Sequence, residues 1–81
     1  MTEVSILMPR MDPEMQEGRI VEWFKKEGEH VEKGEVVVQA ESEKVLFEID
    51  APESGTLKKI VAFNGDVVPI VQPIGIIEVE A

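Results

Sequence analysis

An all-β fold is predicted by the composition of this chain and by the way glycines and prolines divide it. Twelve valines and eight isoleucines stand against three leucines and four alanines. Side chains branched at Cβ lose rotamer freedom in a helix and suit the half-buried surface of a sheet. Six glycines and five prolines interrupt the chain too often for a long helix. We therefore expect short strands packed as a flattened barrel or sandwich.

Turn signals separate six predicted strands. The turn signals are Gly28-Glu29, Gly34-Glu35, the segment 52–55 and Asn64-Gly65-Asp66. The Asn-Gly pair is a strong signal because both residues tolerate positive φ. Short extended pieces are expected around Val31 and at Val67–Val68. The predicted strands are Val4–Met8, Arg19–Phe24, Val36–Ala40, Val45–Ile49, Thr56–Val61 and Ile76–Val79.

The chain repeats itself at an interval of 37 residues, so that Gly28, for example, falls on Gly65. Two similar halves suit two four-stranded antiparallel sheets that are related by approximate two-fold symmetry. We therefore predict a single domain over residues 1–81, with repeats at about 4–41 and 45–80.

The two halves differ by one insertion and meet at a polar turn. Six extra residues in the first half, within Arg10–Gln16, predict a surface loop, and such loops often carry recognition. The midpoint of the chain, Glu41 to Lys44, lies between strand-forming residues. Lys44 is therefore expected at the tip of a hairpin that joins the halves.

Charge and composition exclude several classes of partner. Seventeen acidic against eight basic residues give a net charge of −9, which argues against nucleic acid and anionic membranes and favours basic protein surfaces. The chain has no cysteine, which excludes disulfides and thiolate metal sites. No apolar run approaches the roughly 20 residues that a membrane span needs. A reducing compartment fits this composition.

Catalytic constellations are missing from the sequence. His30 is the only histidine, so neither an imidazole metal site nor a histidine base for a serine nucleophile is predicted. Glycine-rich phosphate loops and aspartate-rich calcium loops are also absent. We predict that this chain does not catalyse a reaction by itself.

One well-placed lysine remains. At a hairpin tip, Lys44 is accessible to a modifying enzyme, and an amide at its Nζ would remove the charge and leave a flexible tether. Glu41 and Glu43 are expected to stabilise the ammonium form. An attachment enzyme would then have to activate the acyl group and deprotonate the lysine.

Four segments, in order and at matching spacing, make the chain similar to the lipoyl (lipoyl-lysine attachment) domains of the 2-oxo acid dehydrogenase complexes, within the biotinyl/lipoyl domain family. They are "MPRMDPEMQEGRIVEWFKKEGEHVEKGE" at 8–35, "ESEK" at 41–44, "EIDAPESGTL" at 48–57 and "NGDVV" at 64–68. The resemblance runs from about Val4 to Val79. It implies a flattened β-barrel of two four-stranded sheets with the modified lysine at an exposed hairpin.

The resemblance assigns roles to individual residues. Lys44 is implied as the site of covalent lipoate attachment, and its neighbours Ser42, Glu43 and Val45 as part of the recognised turn. Glu41 and Gly34 match positions that help ligases place the lysine, and Gly55 mirrors Gly34 about the hairpin. Recognition by the decarboxylase is implied for the loop Arg10–Gln16, and the residues of that loop singled out here are Arg10, Met11, Asp12, Pro13 and Glu14.

The resemblance also implies a function and partners. The implied function is a swinging-arm carrier of acyl groups and electrons, loaded by a thiamine-dependent decarboxylase (E1), unloaded to coenzyme A at an acyltransferase (E2) domain and reoxidised by dihydrolipoyl dehydrogenase (E3). A lipoate ligase or an octanoyl/lipoyl transferase would modify the lysine. We expect an acidic face of Glu41, Glu43 and Asp50 to steer partners.

The setting of the domain is also an expectation. We expect a monomeric domain from the N-terminal part of an acyltransferase chain, in bacterial or archaeal cytoplasm or, in a eukaryote, in the mitochondrial matrix. The opening "MPRMDPEMQEG" resembles pyruvate- or acetoin-type complexes.

Two alternatives stay open. The biotinyl carrier domains of carboxylases share the fold, but they typically flank the lysine with methionines, where this chain has Glu43 and Val45. Most lipoyl domains have Asp and Ala at these two positions. Glu43 differs from Asp but keeps its charge, whereas Val45 is larger than Ala. The second alternative is a β-sandwich adaptor that binds partners without a cofactor.

Overall fold

The structure is a computed structural model that describes residues 2–79. The ends of the predicted domain, 1–81, and of the second repeat, 45–80, therefore lie outside the described residues. Residues 2–79 form strands and turns without a helix, and hence without a helix that could cross a membrane. The strands are β1 (Thr2–Leu7), β2 (Glu17–Trp23), β3 (His30–Val31), β4 (Val36–Glu41), β5 (Leu46–Asp50), β6 (Gly55–Ile60), β7 (Val67–Pro69) and β8 (Pro73–Val79).

The strands pair into two four-stranded antiparallel sheets, which confirms the predicted fold class. One sheet has the order β1-β8-β6-β3 and the other β5-β4-β2-β7. The two expected extended pieces are the short strands β3 and β7. The last strand starts three residues earlier than predicted, at Pro73, because a proline is tolerated as the first residue of a strand.

Equivalent strands lie at equivalent places in the two sheets. Exchanging β1 to β4 for β5 to β8 converts one strand order into the other. A shift of 37 residues brings β3 and β4 onto the starts of β7 and β8. The same shift relates core residues, since it takes the fully buried Ile20 to Leu57 and Val37 to Ile74.

The core lies between the two sheets and is apolar. Alternate residues of the strands point inward, as in β5, where Phe47 and Ile49 are buried and their neighbours are exposed. Within residues 2–79, no polar or charged residue is buried. Met8 and Met15 extend this core beneath the loop between β1 and β2. Their side chains pack against Gly18. That loop is thus attached to the core close to both of its ends.

Val71 adopts a left-handed backbone conformation that its side chain disfavours. Its φ is 72°, whereas the residue 37 positions earlier, Gly34, adopts φ 87° without penalty. A β-branched residue in this region costs about 1–3 kcal/mol. Because Val71 is exposed, glycine there loses little burial and reintroduces about 0.5–1 kcal/mol of backbone entropy.

We expect Val71→Gly to raise the free energy of unfolding by about 1 kcal/mol. Chemical denaturation monitored by the fluorescence of Trp23 would measure the change. Val67→Gly is the matched control, since Val67 is a similarly exposed valine within strand β7. It should lower stability by about 0.5–1 kcal/mol. A loss of stability in Val71→Gly would show that its backbone is not strained.

Candidate functional site

The site is built on the hairpin between β4 and β5. The last strand pair is Glu41 with Leu46, and the four residues from Ser42 to Val45 form the turn. The Ser42 amide donates to the Val45 carbonyl over 2.8 Å. The Ser42 hydroxyl oxygen accepts from the amides of Lys44 and Val45 at 3.3 and 3.2 Å. A hydroxyl residue at position 42 therefore organises the backbone on which Lys44 stands.

Lys44 is at the tip of this hairpin and points into solvent. Its side chain is 63% exposed, and its Nζ donates to Glu14 Oε1 over 2.7 Å. An exposed primary amine at a turn fits the attachment of an acyl group, because amide formation there meets no steric barrier from the core.

The loop between β1 and β2, residues 8–16, brings Glu14 to the lysine. The Glu14 amide donates to Asp12 Oδ1 at 2.9 Å, and the Met15 amide donates to the Asp12 carbonyl at 3.1 Å. Met15 is buried, and its sulfur accepts from the Met11 amide. The predicted loop Arg10–Gln16 is therefore an ordered turn whose Glu14 lies beside the hairpin tip.

The ion pairs of the tip differ from those expected from the sequence. The carboxylate that pairs with Lys44 is that of Glu14, 30 residues earlier in the chain. Glu41 instead lies opposite Arg19 on the neighbouring strand, with 3.8 Å between Arg19 Nε and Glu41 Oε2. The expectation that Glu41 stabilises the Lys44 ammonium is corrected accordingly. The register of β2 and β4 places Arg19 directly opposite Glu41, so Arg19 is the ion-pair partner of Glu41.

A groove of about 800 Å³ runs between the hairpin tip, the loop and strand β7. Its walls carry five carboxylates against two basic side chains, so the groove is acidic. It is lined by Asp12, Glu14, Met15, Gln16, Glu17, Gly18, Arg19, Glu41, Ser42, Glu43, Lys44 and Val67. The structure thus brings five predicted recognition residues, Asp12, Glu14, Glu41, Ser42 and Glu43, together around Lys44. Glu17, Arg19 and Val67 join them only through the folding of β2 and β7, which no local motif indicated.

Other predicted recognition residues lie outside this groove. Val45 is part of the turn and is exposed, as are Arg10 and Pro13 on the loop. Met11 lines a second, smaller groove of about 420 Å³ between β1 and β5.

Gly34, Gly55 and Asp50 are remote from the lysine. Gly34 donates its amide to the Ala51 carbonyl, and Asp50 pairs with Val36, at the end of the hairpin opposite the tip. Five residue-to-residue steps along β4 separate Val36 from Glu41, which is about 17 Å. Asp50 therefore lies outside the cluster that Glu41 and Glu43 form around Lys44, and its part in an acidic face that steers partners stays a prediction. Gly55 pairs with Val31 in the other sheet, where a Cβ would contact backbone.

The chain matches one family of protein domains over residues 4–77, the biotin/lipoyl family, described as "Biotin-requiring enzyme". The chain belongs to this family.

Several curated relatives are acetyltransferase components. The chain is 40% identical over 78 residues to the dihydrolipoyllysine-residue acetyltransferase component of the pyruvate dehydrogenase complex of Rickettsia conorii. It is 44% identical over 66 residues to the same component of the acetoin cleaving system of Bacillus subtilis. The two matches cover 95% and 82% of the chain but 19% and 17% of these relatives. The biotin/lipoyl domain corresponds to a small, non-catalytic carrier part of such chains.

Two solved structures share the fold. The lipoyl domain of the 2-oxoglutarate dehydrogenase complex of Azotobacter vinelandii has a TM-score of 0.70 and 29% identity, covering 94% of this chain and 100% of that one. The urea carboxylase of Kluyveromyces lactis has a TM-score of 0.79 and 26% identity, covering 96% of this chain and 6% of that one. The resemblance to lipoyl domains of acyltransferase chains is confirmed by the family, the relatives and the Azotobacter structure.

Proposed function

We propose that this domain is a lipoyl carrier in which Lys44 holds lipoate as an amide. The observation that carries the proposal is the position of Lys44 at an exposed turn that is built by Ser42 and bordered by an acidic groove. The names of the Rickettsia and Bacillus relatives, which specify a dihydrolipoyllysine residue, support lipoate as the group.

Lipoate supplies a redox-active disulfide that can be acylated, which the cysteine-free chain lacks. The protein holds the attachment point away from the sheets. The β4–β5 pairing fixes the base of the turn, and the Ser42 hydroxyl fixes its backbone. A lysine on this turn gives the group a flexible stem that reaches several active sites, so each docking event can remain weak.

The acidic groove suits partners that present basic surfaces. We infer that a lipoate ligase or an octanoyl/lipoyl transferase and a thiamine-dependent decarboxylase dock over Lys44 and contact Glu14, Glu41 and Glu43. The acyl group passes to coenzyme A at an acyltransferase domain, and a dihydrolipoyl dehydrogenase reoxidises the arm. The complex is of the pyruvate or acetoin type, as in the two relatives, and the domain itself is monomeric.

Biotin is the second candidate group, because the matching family is described as "Biotin-requiring enzyme" and the urea carboxylase structure shares the fold. The turn favours lipoate, since its lysine is flanked by Glu43 and Val45 rather than by two methionines. The curated relatives favour lipoate as well.

The proposed function is tested by reductive acylation. The lipoylated chain is incubated with a thiamine-dependent decarboxylase of the pyruvate type or of the acetoin type, each with its substrate, and its intact mass is measured. We expect a gain of one acetyl group and one hydrogen with at least one of the two enzymes, because ring opening leaves a free thiol. A lipoylated chain that neither enzyme nor an oxoglutarate-type enzyme acylates would contradict the carrier function.

A further inference from the structure

The contact between Lys44 and Glu14 joins two surface elements that are separately anchored. On one side is the hairpin tip 42–45, and on the other is the loop of residues 8–16. Across the groove between them, the Lys44 ammonium donates to the Glu14 carboxylate at 2.7 Å. Both side chains are exposed, at 63% and 80%, so neither the core nor a close-packed neighbour holds them in place.

The base of the loop is held without the help of Lys44. The amides of Ile70 and Val71, in the turn between β7 and β8, donate to the carbonyls of Gln16 and Met8 at 3.1 and 2.8 Å. The Met8 amide donates to the Gln72 carbonyl at 3.0 Å. Met15 is inserted in the core. The loop is therefore fixed at its base, and Glu14 extends from it. The Glu14 carboxylate can exchange its ion-pair partner while the loop stays folded.

Modification of Lys44 removes the cation from this contact. The nitrogen forms an amide with the carbonyl carbon of an activated acyl donor, an acyl adenylate or a thioester, whose adenylate or thiolate leaves while the ammonium loses two protons. The amide nitrogen is neutral and is a weaker donor to a carboxylate than an ammonium. The net charge changes from −9 to −10, because one positive charge is lost.

We propose that Glu14 couples the loop to the modification state of Lys44. In the unmodified domain, the Lys44 ammonium pairs with the Glu14 carboxylate, and this ion pair holds the loop against the hairpin tip. In the modified domain, the carboxylate is released and accepts a cationic side chain of a partner protein. The coupling rests on the carrier function proposed above. It would let a decarboxylase bind lipoylated domains more tightly than unmodified ones.

Neighbouring charges support this assignment. Glu41, the groove carboxylate at the end of β4, lies opposite Arg19, so modification of Lys44 leaves the partner of Glu41 in place. Among the groove carboxylates of residues 2–79, Glu14 is the one that forms an ion pair with Lys44. The released charge therefore appears on the loop.

The coupling is tested in the 81-residue chain without any ligase or lipoate, so its outcome is independent of the carrier function. Lys44→Gln replaces the ammonium by a neutral amide, Lys44→Arg keeps the charge, and Glu14→Gln removes the acceptor. Amide resonances of residues 11–16, apart from Pro13, are recorded for each variant. We expect the same shifted loop resonances in Lys44→Gln and Glu14→Gln, and near-native ones in Lys44→Arg.

The matched control is Lys58→Gln, which removes an exposed lysine that pairs with Glu3 on the other sheet. It should leave the loop resonances in place. Raising the salt to 1 M, where the Debye length is about 3 Å, should move the native loop resonances toward those of Glu14→Gln. Unchanged loop resonances in Lys44→Gln, or equal shifts in Lys44→Arg and Lys44→Gln, would overturn the proposal.

A binding measurement extends the test to the partner. We expect the decarboxylase to bind the lipoylated chain about two- to five-fold more tightly in wild type than in Glu14→Gln, the range for an exposed ion pair. The unmodified forms of the two chains should differ less. Equal affinities of the two lipoylated chains would overturn the role of Glu14 in recognition.

Discussion

Replacing Lys44 with arginine is expected to abolish lipoylation completely. Arginine keeps the positive charge and can still pair with Glu14, so the turn and the loop should stay as they are. Its guanidinium stays protonated at neutral pH, so it offers no nucleophilic nitrogen to an activated acyl group. The measurement is the intact mass of the variant after co-expression with a lipoate ligase.

The matched control is Lys59→Arg, an exposed lysine on strand β6 in the other sheet. It should be lipoylated to the same extent as the wild type, because its side chain lies away from the groove. A lipoyl increment in Lys44→Arg would place the attachment site on another lysine. Loss of the increment in Lys59→Arg would also contradict attachment at Lys44.

Replacing Gly55 with alanine is expected to destabilise the fold by about 3 kcal/mol or more, the upper range for overpacking. A Cβ on Gly55 would lie 2.1 Å from the Glu78 carbonyl oxygen, which belongs to the neighbouring strand β8. Backbone cannot move aside as a flexible side chain can, so β6 and β8 would have to separate. For a domain of this size, that loss lowers Tm by roughly 12–24 °C.

Thermal unfolding followed by circular dichroism measures the effect. Thr56→Ala, one residue along the same strand, is the control, because the Thr56 side chain is partly exposed and points to the other face. It should cost less than about 1 kcal/mol, as surface substitutions usually do. A Tm of Gly55→Ala within a few degrees of the control would show that β6 and β8 leave room for a Cβ at Gly55.

The fold and the position of Lys44 were predictable because they depend on local patterns. Cβ-branched runs between glycine turns indicated eight extended segments, and the repeat at 37 residues indicated two similar sheets. The polar interruption at 41–44 between two such runs indicated the hairpin tip. Each of these signals lies within a few residues or follows a fixed interval.

The remaining features arise from long-range pairing. Glu14 and Lys44 are 30 residues apart, and nothing in the order of residues indicates that the loop folds toward the hairpin. Asp50 is only six residues after Lys44 in the chain, yet strand β5 carries it to the opposite end of the hairpin, outside the groove. Met15 resembles an ordinary loop residue in the sequence, yet it anchors the loop in the core.

The identity of the group on Lys44 is the central claim, and competition between two ligases tests it most directly. The chain is co-expressed with a lipoate ligase, with a biotin ligase and with both, and the intact mass and the modified peptide are determined. We predict a lipoyl increment on the peptide that contains Lys44 in the first and third cases, and no increment in the second. A biotin increment on Lys44 in the presence of both enzymes, or no modification by either, would contradict the account.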